Sequence, residues 1–191
     1  MKLIILDRDG VINHDREDYV KSADECIPIE GSISAIVRLN KAGYTVVIAT
    51  NQAGLAKGKF ELEDLEAMHE KISGLVEENG GEIGAIFYCP HHPEENCKCR
   101  KPKPGMLDAI EAEFNTSVEG SYFIGDSLRD LQAAIQKACK PVLVRTGNGV
   151  RTLAQLAVPG LQSDAPLVSH EQIEVFDNLA AAADFIIASG N

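Results

Sequence analysis

Leu3-Ile4-Ile5-Leu6 runs straight into Asp7-Arg8-Asp9-Gly10. No other feature constrains the fold of this chain as tightly. A short, continuous apolar run followed by Gly reads as a buried strand entering a tight loop. Two carboxylates two positions apart at the end of such a strand cannot both enter a core. They project into the crevice beyond the strand's carboxyl end, where open α/β sheets place their ligands. An Asp there can coordinate Mg²⁺ and attack phosphorus, while its neighbour moves protons. Taken alone, such a pair is also what a solvated acidic turn looks like.

The pattern recurs. Thr45-Val46-Val47-Ile48-Ala49 ends in Thr50-Asn51-Gln52, and Tyr122-Phe123-Ile124 ends in Gly125-Asp126-Ser127, with Asp130 four residues beyond Asp126. Between them lies Arg100-Lys101-Pro102-Lys103-Pro104. Three strand ends with small polar or acidic residues, and one cationic loop, supply what phosphoryl transfer requires. These are a carboxylate-held Mg²⁺, a nucleophile, and positive donors around the equatorial oxygens.

The set Asp7-x-Asp9-Gly10, Thr50, Lys101 and Gly125-Asp126-x3-Asp130 resembles, in order, the four motifs of the haloacid-dehalogenase (HAD) superfamily of phosphotransferases. The resemblance covers roughly the first 150 residues. It implies a three-layer, Rossmann-like α/β fold. Strand–helix alternation independently predicts a mostly parallel sheet covered on both faces. Strands are expected at 2–6, 45–49, 85–88, 121–124, 142–144 and 173–176. Helices are expected near 32–42, 61–78, 105–114, 128–137 and 178–188, with a loop from Pro159 to Pro166. No insertion is long enough for a separate cap domain, so the site should be open. One domain spanning 1–191 is expected, with 150–191 its least defined part.

At 191 residues and 45% hydrophobic content the chain can bury one substantial core. No stretch approaches the roughly 20 apolar residues of a membrane span, and no signal-peptide pattern is seen, so a cytoplasmic protein is expected. A formal charge of −11 argues against nucleic-acid or anionic-membrane partners. A negatively charged small molecule would need a local basic patch, which Lys98, Arg100, Lys101 and Lys103 provide. A monomer is expected.

Five cysteines in such a chain argue against a disulfide framework. Three lie within Cys89-Pro90-His91-x5-Cys97-Lys98-Cys99. Cys89, His91, Cys97 and Cys99 make a Cys₃His set suited to tetrahedral Zn²⁺, with His92 the rival imidazole. Four protein ligands leave no position for water, so the zinc is expected to be structural, clamping a loop of about 89–101 that presents Arg100 and Lys101. Cys26 and Cys139 read as ordinary buried cysteines. This block is similar to that of D-glycero-D-manno-heptose-1,7-bisphosphate 7-phosphatases and of the related histidinol-phosphate phosphatases. Gly58-Lys59-Phe60, Lys103-Pro104-Gly105-Met106-Leu107 and Val144-Arg145-Thr146-Gly147 favour the former. Val11 and Ala53 stand where many relatives carry hydroxyl residues.

The resemblance implies hydrolysis of the 7-phosphate of a heptose bisphosphate, in making nucleotide-activated heptose for lipopolysaccharide core or other surface glycans. Asp7 is then the nucleophile and Asp9 the acid–base. Mg²⁺ is held by Asp7, the Asp9 carbonyl and Asp126, and Thr50 and Lys101 bind the transferring oxygens. Asp130 positions Asp126 or Lys101. Arg100 is expected to meet sugar hydroxyls or the distal phosphate, and Asn51, Gln52, Asp15 and Asp18 are candidates for sugar recognition. For Asp15 and Asp18 a solvated loop is an equal alternative.

Overall fold

The computed structural model describes residues 1–158 and 166–190. Six strands form one sheet: β1 (Lys2–Leu6), β2 (Tyr44–Asn51), β3 (Ala85–Cys89), β4 (Tyr122–Gly125), β5 (Lys140–Val144) and β6 (Glu174–Phe176). Every pairing is parallel and the order is β3-β2-β1-β4-β5-β6. Chain progression runs outward from β1 to β3, then returns to β4 on the other side of β1. The switch point therefore falls between β1 and β4, and the crevice at their carboxyl ends is where such sheets bind ligands.

Alternation of side chains along each strand explains why the apolar runs are continuous. Ile4 and Leu6 of β1, with Val46, Ile48, Ile124, Val142 and Val144, face one layer of helices: α1 (Ser32–Lys41), α2 (Leu62–Glu78) and α6 (Leu179–Ala188). Leu3 and Ile5, with Val47, Ala49 and Phe123, face α3 (Gly105–Phe114) and α4 (Leu128–Gln136). Leu131, Leu143, Val168 and Ile173 form a smaller cluster, against which Leu153 and Leu156 of α5 (Gly149–Leu156) pack. Residues buried on both sheet faces leave the strand ends and the loops after them to carry polar chemistry.

Three details differ from the sequence reading. Helix α5 was not expected, because Gly147-Asn148-Gly149 reads as a loop and only eight residues follow the helical pattern. Pro141 lies within β5 rather than ahead of it. It is tolerated because β6 pairs only from Val142 onward, so no ladder bond is demanded of the missing N–H. In α2, Leu65, Met68, Ile72 and Val76 are buried, but Leu62 is exposed at the helix start. Of the loop expected from Pro159 to Pro166, residues 159–165 lie outside the described residues. Cys26 and Cys139 are buried. No helix among the described residues is long and apolar enough to cross a membrane.

Candidate active site

The end of β1 stays tied to β4 for one residue beyond the strand, through Asp7 N–H to the Ile124 carbonyl (2.9 Å). This fixes Asp7 at the switch point. Its Oδ1 accepts from the Arg8 amide (2.8 Å) and lies 2.9 Å from the Lys101 ammonium. Lys101 reaches this position from the cysteine loop. It also meets Asp130 Oδ1 at 2.6 Å and donates to the Ala49 carbonyl at 2.7 Å. Burial alone would lower the Lys101 pKa, but the carboxylates of Asp130 and Asp7 outweigh it and keep the ammonium charged.

Asp130 serves two neighbours. Its second oxygen accepts from Ser127 N–H (3.0 Å) and Oγ (2.6 Å), closing a capping box at the start of α4. Both oxygens are thus engaged, and between the two roles considered for Asp130 the contact made is with Lys101. Asp126 is held differently. Its Oδ2 accepts from the Asn148 backbone (2.7 Å) and side chain (3.1 Å), and Thr152 of α5 donates to its carbonyl (2.8 Å). Gly10 and Gly147 press against the same carboxylate. A Cβ at either would sit 2.1 or 2.2 Å from Asp126 Oδ2. Asp7, Asp126 and Asp130 each place an oxygen within 4.8 Å of the others, close enough for carboxylates sharing one cation.

The second Asp of the first motif is clamped. Arg8, fully buried, gives Asp9 three hydrogen bonds of 2.9–3.1 Å from Nε and Nη2. Asn13 Nδ2 adds one at 2.8 Å and Gln52 Nε2 another at 2.8 Å. Burial would raise the Asp9 pKa, but the Arg8 charge and the bonds from Asn13 and Gln52 outweigh it and hold the carboxyl below its usual range. Thr50, buried at the end of β2, accepts from Gln52 Nε2 (2.9 Å), which leaves its own hydroxyl proton to be donated.

The residues considered for sugar recognition divide. Asn51 exchanges two 3.1 Å hydrogen bonds with the Lys101 backbone, so its amide fixes the segment that carries that lysine. Gln52 is occupied with Asp9 and Thr50. Asp15 accepts from Asn148 (3.1 Å) at the rim of the site. Asp18 is exposed and pairs with Lys59 at 2.8 Å, joining the 15–21 loop to the loop after β2. Arg100 is half-buried beside Lys101. Val11 and Ala53 are buried and offer no hydroxyl.

The four cysteine-loop candidates converge. Cys89 and Cys97 Sγ are 3.5 Å apart, Cys97 and Cys99 3.4 Å, His91 Nδ1 and Cys99 3.2 Å, and Cys89 and His91 Nδ1 3.7 Å. Tetrahedral zinc with its usual bond lengths needs edges of about 3.6–3.8 Å, so the donors sit at, or slightly inside, the required spacing. All five cysteines are free. Burial and the neighbouring thiols push Cys99 up to about 12, a crowding that a cation would relieve. His92 turns away and accepts from Glu94 N–H at the start of the short turn Pro93–Glu95.

Known proteins agree with this geometry. A family model described as polynucleotide kinase 3 phosphatase matches residues 2–139, and one described as HAD-hydrolase-like matches 98–182. A D-glycero-β-D-manno-heptose-1,7-bisphosphate 7-phosphatase of Pseudomonas putida is 52% identical over 98% of this chain and 100% of its own. The D,D-heptose 1,7-bisphosphate phosphatase of Bordetella bronchiseptica, solved with magnesium and phosphate, superposes with a TM-score of 0.90. That structure is 48% identical and covers 99% of both chains. Its counterpart from Burkholderia thailandensis gives 0.72 at 39% identity, covering 97% of this chain and 99% of that one.

The chain belongs to the heptose-bisphosphate phosphatases of the HAD superfamily.

Within this HAD framework, three contributors escaped the sequence reading. Arg8 was visible only as the residue between two aspartates, although an arginine there has no solvent to enter. Asn13 lies in an ordinary polar loop. Asn148 is 22 positions from Asp126 and carried no signal beyond its flanking glycines. Residues after 147 therefore do reach the site, through Asn148 and Thr152.

Three clustered carboxylates and one ammonium leave net negative charge in a buried place. Asp7 is pushed up to about 7, chiefly by burial, against the opposing pull of Lys101 and with further upward pushes from Asp130 and Asp9. Asp126 rises to about 8, by burial and then by Asp130 and Asp7. The folded, metal-free protein therefore retains protons that the unfolded chain, titrating near pH 4, has already released. The stability these two acids contribute should fall as pH rises from about 4 to about 8, opposed below pH 6.5 by His69, whose imidazole burial pushes down to about 4. A divalent cation held by the ionised cluster would oppose the fall at these acids. The gain in melting temperature on replacing EDTA with MgCl₂ should thus grow between pH 5 and pH 8. An equal gain at both would contradict the shared cation site.

Proposed function

We propose that this chain hydrolyses the 7-phosphate of D-glycero-β-D-manno-heptose 1,7-bisphosphate and leaves the anomeric phosphate in place. The observation that carries phosphoryl transfer is the meeting of Asp7, Asp126 and the Lys101 ammonium at the switch point. The substrate rests on full-length relatives of about half identity that bear this activity in their names. Heptose synthesis for a surface glycan is the setting this substrate suggests.

The Asp7 carboxylate attacks phosphorus, forming an aspartyl-phosphate and expelling the sugar's C7 alkoxide. Asp9 delivers a proton to that oxygen. Water then attacks the aspartyl-phosphate, Asp9 takes its proton, and inorganic phosphate leaves. Asp9 rests ionised under the grip of Arg8, so it gains its proton only as the phosphate arrives, whose negative charge opposes that of Arg8. The Thr50 hydroxyl and Lys101 ammonium hold the transferring oxygens, each worth a few kcal/mol in the transition state (about 3). Magnesium, held by Asp7, the Asp9 carbonyl and Asp126, supplies neutralisation of charge that would otherwise repel the substrate. This fits the acid cluster and the magnesium named for the Bordetella relative.

Zinc held by Cys89, His91, Cys97 and Cys99 supplies folding energy to the loop that carries Arg100 and Lys101. Gly105 N–H to the Lys98 carbonyl (3.1 Å) passes that order to the start of α3. Small phosphorylated sugars, not nucleic acids, are the expected partners, since the acidic chain lacks Trp for stacking bases.

Phosphate release should be fastest from the β-heptose bisphosphate, and slower from its α-anomer, histidinol phosphate and a 3′-phosphorylated oligonucleotide. Asp7→Asn should fold and lose at least ~10³-fold in turnover. A preference for histidinol phosphate or the oligonucleotide would overturn the substrate, and substantial Asp7→Asn turnover the covalent route. Cys97→Ala should take bound zinc from one per chain to near none and expose residues 89–101 to protease, with activity falling in step. Unchanged zinc content would show the ligand set to be wrong.

A further inference from the structure

Asn148 stands between two carboxylates from distant parts of the chain. Its Nδ2 donates to Asp126 Oδ2 and to Asp15 Oδ2, each at 3.1 Å, and its backbone N–H gives the same Asp126 oxygen a 2.7 Å bond. Among the described residues no donor reaches Asp126 Oδ1. Asp15, although exposed at the rim, has both oxygens engaged. Oδ1 accepts from the Arg16 amide at 2.8 Å and Oδ2 from Asn148. The residues before it are pinned, by His14 N–H to the Ile27 carbonyl (2.9 Å) and by Asn13 Nδ2 to the His14 carbonyl (2.9 Å).

A primary amide nitrogen carries two hydrogens, so it can serve two acids at once, one with each. Ionised carboxylates only accept, so meeting both of them requires the nitrogen of Asn148 at that end and fixes the sense of its side chain. Both protein donors then fall on one oxygen of Asp126, and the other is left for a cation shared with Asp7. Outer partners of this kind orient metal ligands, and removing one typically costs about 10- to 100-fold in affinity.

We propose that Asp15 and Asn148 are positioning residues for the cation site, Asp15 acting through the Asn148 amide to orient Asp126, and that Asp15 makes no contact with the sugar. This rests on the reading of Asp7 and Asp126 as magnesium ligands. The turn that bears Asn148 is held independently of its side chain. Thr146 Oγ1 donates to the Gly10 carbonyl (2.6 Å) and Thr152 Oγ1 to the Asp126 carbonyl (2.8 Å). Replacing Asn148 by Ala therefore removes one donor and keeps the backbone bond to Asp126.

The test is the magnesium dissociation constant of the substrate-free protein, by calorimetry, in wild type, Asn148→Ala, Asp15→Ala, the double variant and Asp126→Ala. KM for the heptose bisphosphate is measured alongside, at saturating magnesium. Asn148→Ala should weaken magnesium by about 10-fold or more, and Asp15→Ala by about 5-fold. In the double variant Asp15→Ala should add nothing to the loss from Asn148→Ala, because its route to the metal is gone. KM should stay near wild type throughout. Additive losses would make Asp15 a distant charge and overturn its action through Asn148. Wild-type magnesium affinity in Asp15→Ala, or a KM raised there at saturating magnesium, would overturn the positioning role as well. Wild-type affinity in Asp126→Ala would overturn the magnesium reading itself, and this inference with it.

Discussion

The site is organised around one buried cation. Lys101 lies within 3 Å of Asp7, Asp130 and the Ala49 carbonyl, which joins the ends of β1 and β2 to the start of α4. An ammonium out of water is tolerable only where every N–H finds an acceptor, and here three acceptors are present. The carboxylates gain as much as the lysine does. Without it, the three acids at the switch point would have only neutral hydrogen-bond donors and no cation beside them. Its backbone is pinned as firmly as its side chain, by Asn51 on one side and by the cysteine cluster two residues upstream.

Around that cation the protein separates two tasks that chemically similar groups could confuse. Asp7 and Asp126 are crowded, desolvated and biased toward protonation, an arrangement that could hold a divalent cation. Asp9 is surrounded by Arg8, Asn13 and Gln52, which hold it ionised and fixed in orientation. The difference arises from neighbours rather than residue type, since all are aspartates. Orientation at Asp126 comes from the far end of the chain, where Asn148 takes one oxygen and Thr152 the carbonyl. Gly10 and Gly147 allow the backbone close enough for this to happen.

Much of this was legible in the sequence, for a physical reason. Strands buried on both faces must be apolar throughout, so the polar residue that ends each run marks the strand's carboxyl end. Asp7, Thr50 and Asp126 announced themselves in that way, as did the close spacing of Cys89, His91, Cys97 and Cys99. The parallel sheet followed from alternation of elements, and the HAD heptose-phosphatase family from the motifs together. What stayed hidden depended on contacts between distant segments. Arg8 gives no hint in sequence of which way its side chain turns. Asn51 and Gln52 looked like substrate contacts because they follow a strand end, yet their amides are consumed inside the site. Helix α5 was concealed by the glycines at its start, and with it the role of Asn148.

The most direct measurement is magnesium binding and turnover in Lys101→Met, which keeps the stem and removes the charge. The carboxylate cluster becomes more negative, so magnesium should bind at least as tightly as in wild type while turnover falls by ~10²-fold or more. Weaker magnesium binding together with near-normal turnover would contradict the account, because Lys101 would then be a support for the metal site rather than the cation that meets the reacting phosphate.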